Sequence, residues 1–280
     1  MSDLTSSTKP KRPEFRNINA LTDLPTYRLP AAGWVSILHR ISGAIMFLLM
    51  PFIIWMFDKS VSSEYSYAKF TSAFNIGLGF VPGVLIKLVV LALIWAYLHH
   101  FIAGVRHLWM DINHAVSKEF GKSSAVVTLA LSLGLTAILG AKLFGLYYSI
   151  HLTKKGTTTM AVNYGSKRSV VGAHYGLRDW LAQRVTAVLM ALFTLLVLGQ
   201  VILTKGPIGY EQWAGIFAAQ WMKALTFAVI VAMLYHVWVG VRDIFMDYIK
   251  PLAVRLSLQV FSIVWLVACA GWAIQVLWRL

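Results

Sequence analysis

The chain has 280 residues, is 58% hydrophobic and only 13% charged, and carries a net charge of +14, with a mean hydropathy of +0.68. An ordinary soluble domain is about 25% charged, so this composition excludes a water-soluble globule and points to a protein dissolved in lipid. The basic residues fall mostly in short segments between apolar runs, a membrane-topology signal rather than a nucleic-acid surface, and no nucleic-acid partner is expected. The single cysteine, Cys269, allows no internal disulfide, Cys-rich zinc site or iron–sulfur cluster.

Residues 1–33 are polar and basic and hold no apolar core of a secretory signal. Six apolar runs follow, at about 34–57, 84–109, 124–148, 181–203, 222–246 and 253–278. Each is long enough for the roughly 20 helical residues that cross a bilayer core. The runs are continuous rather than alternating, and a helix satisfies its own backbone in lipid. The expected fold is all-α, an integral membrane bundle of six transmembrane helices in two pseudo-symmetric three-helix halves.

The first run contains ILHRISGA at 37–44 and the fourth LAQRVTAV at 181–188, each with an arginine followed by a small polar residue. The second contains HFIAGVRHLWMD at 100–111 and the fifth HVWVGVRDIFMD at 236–247. Both fit H-x-x-x-G-V-R-x-x-x-M-D. The third and sixth runs are plain. A polar segment, 149–180, divides the halves.

Charge orients them. Lys9, Lys11, Arg12, Arg16, Arg28 and Lys118 lie on the N-terminal side of the first half; Lys167, Arg168, Arg178, Lys250 and Arg255 lie on the corresponding side of the second. By the positive-inside rule each half keeps its own N-terminus in the cytoplasm. Three spans, however, leave the chain on the far side, and 149–180 holds no apolar run to carry it back. Met160 follows Thr-Thr-Thr in the manner of a second start. Residues 1–159 and 160–280 therefore read as two subunits written as one chain.

On a helix His100, Gly104, His107 and Asp111 share one face, as do His236, Gly240, Asp243 and Asp247. Each histidine is about 16 Å along the axis from the final aspartate, near the bilayer midplane, where an imidazole must have a partner. Two such helices side by side suit bis-histidine ligation of a haem iron by His100 and His236. A glycine one turn away gives a flat macrocycle room. His39, Arg40, Arg184 and Arg178 are cations available for its propionates. His99 is a rival ligand, but only His100 matches the spacing of His236. His114, His151 and His174 read as loop residues without a role. Ser36, Arg40, Asp247 and Tyr248 converge at one leaflet boundary, a donor set that suits a quinone.

SILHRISG at 36–43 followed by HFIAGVRHLWMD resembles the large, cytochrome b556 anchor subunit of bacterial succinate dehydrogenase. RVTA at 184–187, HVWVGVRD at 236–243 and DYIKP at 247–251 resemble its small anchor subunit. The resemblance implies a multi-pass anchor in the bacterial inner membrane that binds one haem b. It implies ubiquinone as substrate, and flavoprotein and iron–sulfur partner subunits that carry FAD, the clusters and the succinate-oxidising site. It places His100 and His236 as axial ligands, Ser36, Arg40, Asp247 and Tyr248 in the quinone site, and His39 and Arg184 near the propionates. Arg178 stands where relatives have histidine. The expected alternatives are a fumarate reductase-type anchor that oxidises quinol, a haem-free structural anchor, and a two-repeat transporter. The last would need broken spans lined by paired ionisable groups.

Overall fold

The computed structural model describes residues 29–115, 117–146, 174–204 and 206–280. Among them are nine α-helices: α1 Ala31–Leu48, α2 Met50–Val61, α3 Glu64–Ile76, α4 Gly83–Asn113, α5 Lys118–Leu143, α6 His174–Leu203, α7 Tyr210–Ala218, α8 Gln220–Tyr248 and α9 Leu252–Arg279. The only strand-like pairing among the described residues is one isolated bridge, Leu78 to Val81. Six helices, α1, α4, α5, α6, α8 and α9, are long and apolar enough to cross a membrane. The all-helical, six-span expectation holds.

The first span is broken. Leu49 leaves helical geometry, with ψ 8°, and α2 restarts at Met50 with Pro51 in its first turn. Proline has no N–H, so the carbonyl four residues earlier, on Phe47, loses its regular helical donor and keeps only a backbone N–H of the helix cap. Inside a bilayer no water replaces that donor. The indole Nε1 of Trp265, on α9, donates to the Phe47 carbonyl at 3.0 Å.

Two short helices lie in the connections, where the sequence shows no long apolar run. α3 opens on Ser63, whose hydroxyl accepts from the Ser66 N–H while the Ser66 hydroxyl accepts from the Ser63 N–H, a reciprocal cap. α7 buries Ala214, Ile216 and Phe217 in a cluster with Val61, Met222 and Val276. α6 begins at His174, seven residues before the expected run at 181, because a polar but helix-compatible turn precedes the apolar stretch. His174 is thus helical rather than a loop residue. His114 ends α4 with φ 48°, and His151 lies outside the described residues.

Paired contacts fix the helix directions. α4 packs antiparallel to α5, with His99 opposite Ser132 and Arg106 opposite Ser124. α1 runs against α4 and α8, placing Ser42 by His100 and Arg40 by Tyr248. α6 also runs against both, with Arg184 at Asp111, Thr194 at Tyr97 and Thr186 at His236. α9 runs parallel to the first span, from Trp265 at Phe47 to Arg279 at Asp58. So α1, α5, α6 and α9 point one way, and α4 and α8 the other.

Met222 is fully buried in the α2–α7–α8–α9 cluster, whereas Val231 on the same helix faces outward. Met222→Ala is expected to destabilise the detergent-solubilised protein by about 2–5 kcal/mol through the cavity it leaves. Val231→Ala should leave the thermal midpoint nearly unchanged. Thermal unfolding followed by circular dichroism checks both.

Candidate functional site

α1, α4, α6 and α8 surround a group of polar side chains in an otherwise apolar interior. At its centre, His100 of α4 faces His236 of α8, with ring centroids 6.3 Å apart and planes crossing at 76°. Imidazole–metal bonds are about 2.0–2.1 Å long, and a ring nitrogen lies about 1.1 Å from its ring centre, so two imidazoles on opposite sides of one metal stand about 6.3 Å apart. The observed spacing fits.

Each ring is held by its other nitrogen. Nδ1 of His100 lies 3.1 Å from the His39 carbonyl and 3.3 Å from Ser42 Oγ. Nδ1 of His236 lies 3.1 Å from Thr186 Oγ1. Both hydroxyls give their own protons to helix carbonyls, Ser42 to His39 and Thr186 to Ala182, leaving lone pairs for an imidazole N–H. With the proton on Nδ1, the lone pair of Nε2 is bare and basic, as a metal ligand requires. Among the described residues no hydrogen bond reaches either Nε2. Gln183 adds a bond from its amide to the His236 carbonyl at 3.1 Å.

Of the four expected cations, His39 and Arg184 lie around this pair. His39 lies against His100 with centroids 3.9 Å apart and meets His107 edge-on at 5.5 Å. Its Nδ1 is buried without a partner, a polar atom aimed at nothing the protein supplies. Arg184 bonds Asp111 at 2.8 Å and lies over the Trp180 ring at 4.7 Å, tying α6 to α4. Arg178 is not brought in: its side chain is 80% exposed, and its ion pair is with its neighbour Asp179 at 3.9 Å.

A second cluster sits at the boundary where α1 begins and α8 ends. Arg40 donates to the Tyr248 hydroxyl at 2.7 Å and pairs with Asp247 at 3.0 Å. Ser36 lies one turn before Arg40 on α1, half-buried, with no side-chain hydrogen bond among the described residues. All four residues of the expected quinone site therefore occupy one corner, contributed by both halves.

His99, the rival of His100 in the sequence, is turned away from this pair. His99 points the other way around α4, fully buried, with Nδ1 3.1 Å from Ser132 Oγ on α5. The glycines of the repeated motif have open space beside them. A Cβ on Gly104 or Gly240 would make only ordinary contacts, with His39 at 3.8 Å and Gln183 at 3.6 Å. The tight approach is at Gly43, where a Cβ would stand 3.1 Å from His100. Sequence reading missed Ser42, Thr186, Gln183 and Gly43. The signal was present: the small polar residue after each R-x is the one that holds its own half's histidine.

Fold and site together define a multi-pass helical membrane protein with a histidine pair at its centre and an ionic, phenolic corner at one boundary. The chain belongs to the succinate dehydrogenase/fumarate reductase transmembrane subunit family, whose sequence model matches residues 11–139 and 159–272. It is 40% identical over 103 residues to a succinate dehydrogenase hydrophobic membrane anchor subunit of Coxiella burnetii, covering 37% of this chain and 89% of that protein. It is 32% identical over 110 residues to a succinate dehydrogenase cytochrome b556 subunit of the same organism, covering 39% and 83%. A cytochrome b556 subunit of Paracoccus denitrificans is 27% identical over 138 residues, covering 49% and 94%. With its six apolar spans and bacterial relatives, this is a multi-pass bacterial inner-membrane protein.

Arg40 and Asp247 are each about half exposed, where an ion pair contributes about 0–1 kcal/mol. Asp247→Asn, which removes the charge of that pair, is therefore expected to shift stability by less than about 1 kcal/mol. Thermal unfolding in detergent measures it, and a near-zero shift means the corner is not needed for folding.

Proposed function

We propose that this chain makes up the membrane anchor of a succinate:ubiquinone oxidoreductase. It holds one haem b between its halves and forms the site where ubiquinone is reduced with electrons from a partner iron–sulfur subunit, itself joined to a flavoprotein that oxidises succinate. The observation that carries this is the histidine pair, 6.3 Å apart with both Nδ1 atoms engaged and both Nε2 atoms free.

Haem b, when bound, supplies a one-electron centre in the apolar interior. His100 and His236 would hold its iron. Ser42, the His39 carbonyl and Thr186 fix their tautomers, a support that raises ligand basicity. His39, with its buried Nδ1, and Arg184 are the donors for the propionates; Arg178 is too exposed to be a strong member of that set.

At the boundary, the Tyr248 oxygen accepts from Arg40 and so keeps its own proton to donate to a quinone carbonyl. Arg40 lends positive charge where negative charge builds up during reduction, the arrangement that lowers such barriers most. Ser36 serves the second carbonyl, directly or through water. Asp247 offers a proton-exchanging carboxylate beside them. Reduction to quinol takes two electrons from the partner and two protons through this corner.

We further read 1–159 and 160–280 as two polypeptides. α5 and α6 point the same way, so Leu143 and His174 belong to opposite faces of the bundle. The single-subunit relatives are nearly covered by the alignment while filling less than half of this chain.

Dithionite-reduced against oxidised spectra of the purified protein should show a sharp α-band, and His236→Ala should abolish its bis-imidazole form. An unchanged band in that variant rejects the ligand. Arg40→Ala should slow succinate-driven quinone reduction by about 100-fold or more, the scale of losing one charge-stabilising donor, while succinate oxidation by an artificial dye continues. On a denaturing gel of the native protein two bands are expected; a single band at 31.3 kDa refutes the two-polypeptide reading.

A further inference from the structure

The arginine of the repeated G-V-R pattern serves neither the histidine pair nor the Arg40 corner, and the two halves treat it differently. In the second half, Arg242 of α8 meets carboxylates: its Nη2 lies 2.7 Å from Asp179 of α6 and 3.4 Å from Asp243. In the first half, Arg106 of α4 fills the same place in the pattern. It is only 9% exposed, while Arg242 is half-buried. The Arg106 side chain lies between α4 and α5, with Nε donating to Ser124 Oγ at 2.9 Å and Nη2 to the Gly121 carbonyl at 3.3 Å. Both acceptors are neutral. A guanidinium carries five N–H donors, and Nη1 of Arg106 meets no acceptor among the described residues. Nor does any carboxylate among them lie within ion-pair distance of it. Asp111, on the same helix, is taken by Arg184.

A buried charge without a counter-charge is costly, and beside hydrocarbon a charged group is paired or marks a binding path. The helix ends on either side of Arg106 expose apolar side chains, Val105 and Trp109 of α4 and Val126 and Val127 of α5. A tryptophan exposed at a helix end sits at the level of the lipid headgroups. Arg106 comes three residues before it, about 4.5 Å deeper along the axis, a distance that a long basic side chain spans. On α5, Lys122 follows Gly121 directly and Lys118 lies one turn before it, both exposed. Glu119, the acid in that turn, pairs with none of these three cations among the described residues.

We propose that the seam between the end of α4 and the start of α5 binds the headgroup of an anionic phospholipid. Arg106 is the phosphate ligand, Lys118 and Lys122 form the rim, and the acyl chains run along the exposed valines. Basic pockets between spanning helices suit such headgroups, and a guanidinium matches phosphate oxygens with paired N–H groups. The lipid supplies to Arg106 the negative charge that Asp179 supplies to Arg242. A carboxylate of a soluble subunit is the weaker fit, because the cation lies deeper than Trp109, among side chains that face hydrocarbon.

The test compares the intact complex with its Arg106→Gln and Arg242→Gln variants in mild detergent. Phosphatidylglycerol, added against a phosphatidylcholine control, should raise the thermal midpoint of the wild type and of Arg242→Gln. Arg106→Gln should bind phosphatidylglycerol about 10-fold more weakly, the scale of losing one charge-assisted hydrogen bond, and native mass spectrometry should show it carrying correspondingly less anionic lipid. An equal rise in Arg106→Gln overturns the proposal, as does an equal rise with inorganic phosphate, which would make the site one for a free anion. If Arg106→Gln keeps its lipid but sheds the soluble subunits, the partner of Arg106 is a carboxylate of theirs, and the proposal is likewise overturned. Should Arg106→Gln fail to fold, the rim variant Lys118→Gln with Lys122→Gln decides: its response to phosphatidylglycerol must weaken, and an unchanged response overturns the proposal.

Discussion

A polar group in hydrocarbon has only other protein groups to turn to, and the arrangement of this bundle follows from that shortage of partners. The break at Pro51 leaves one carbonyl without its regular helical donor, and an indole from another helix donates to it. His99, buried within the first half, finds a serine one helix away. His100 and His236 engage Nδ1 locally and keep Nε2 for something else. An orphan nitrogen on His39 beside them marks the same place as unfinished by protein atoms alone.

The two ends of the bundle divide the work. One end is interlocked, with aromatic donors and an arginine meeting acceptors on α1 and α2. The other carries the half-exposed Arg40–Asp247 pair, the Tyr248 phenol and the Arg184–Asp111 bridge. That is the end at which polar and charged side chains reach the surface.

The halves reuse one design. In each, the first long helix carries R-x-S or R-x-T, and the hydroxyl holds the histidine of that half's second span. The halves also share direction, since α4 and α8 run together against α1, α5, α6 and α9. This agrees with basic residues collecting on the N-terminal side of both halves.

Much of this was legible locally. Apolar run length gave six spans, and the period of the H-x-x-x-G-V-R pattern gave two histidines at matching depth, because both depend only on residues within one helix. Composition likewise fixed the solvent. The sequence could not state that Ser42 and Thr186 are the histidines' supports, that Gly43 lies tight against His100, or that Arg178 faces outward. Nor could it pair Trp265 with Phe47 or Arg279 with Asp58, partners 218 and 221 residues apart. Those facts depend on how far each helix is rotated and slid against its neighbours, which is settled only when distant apolar faces pack together.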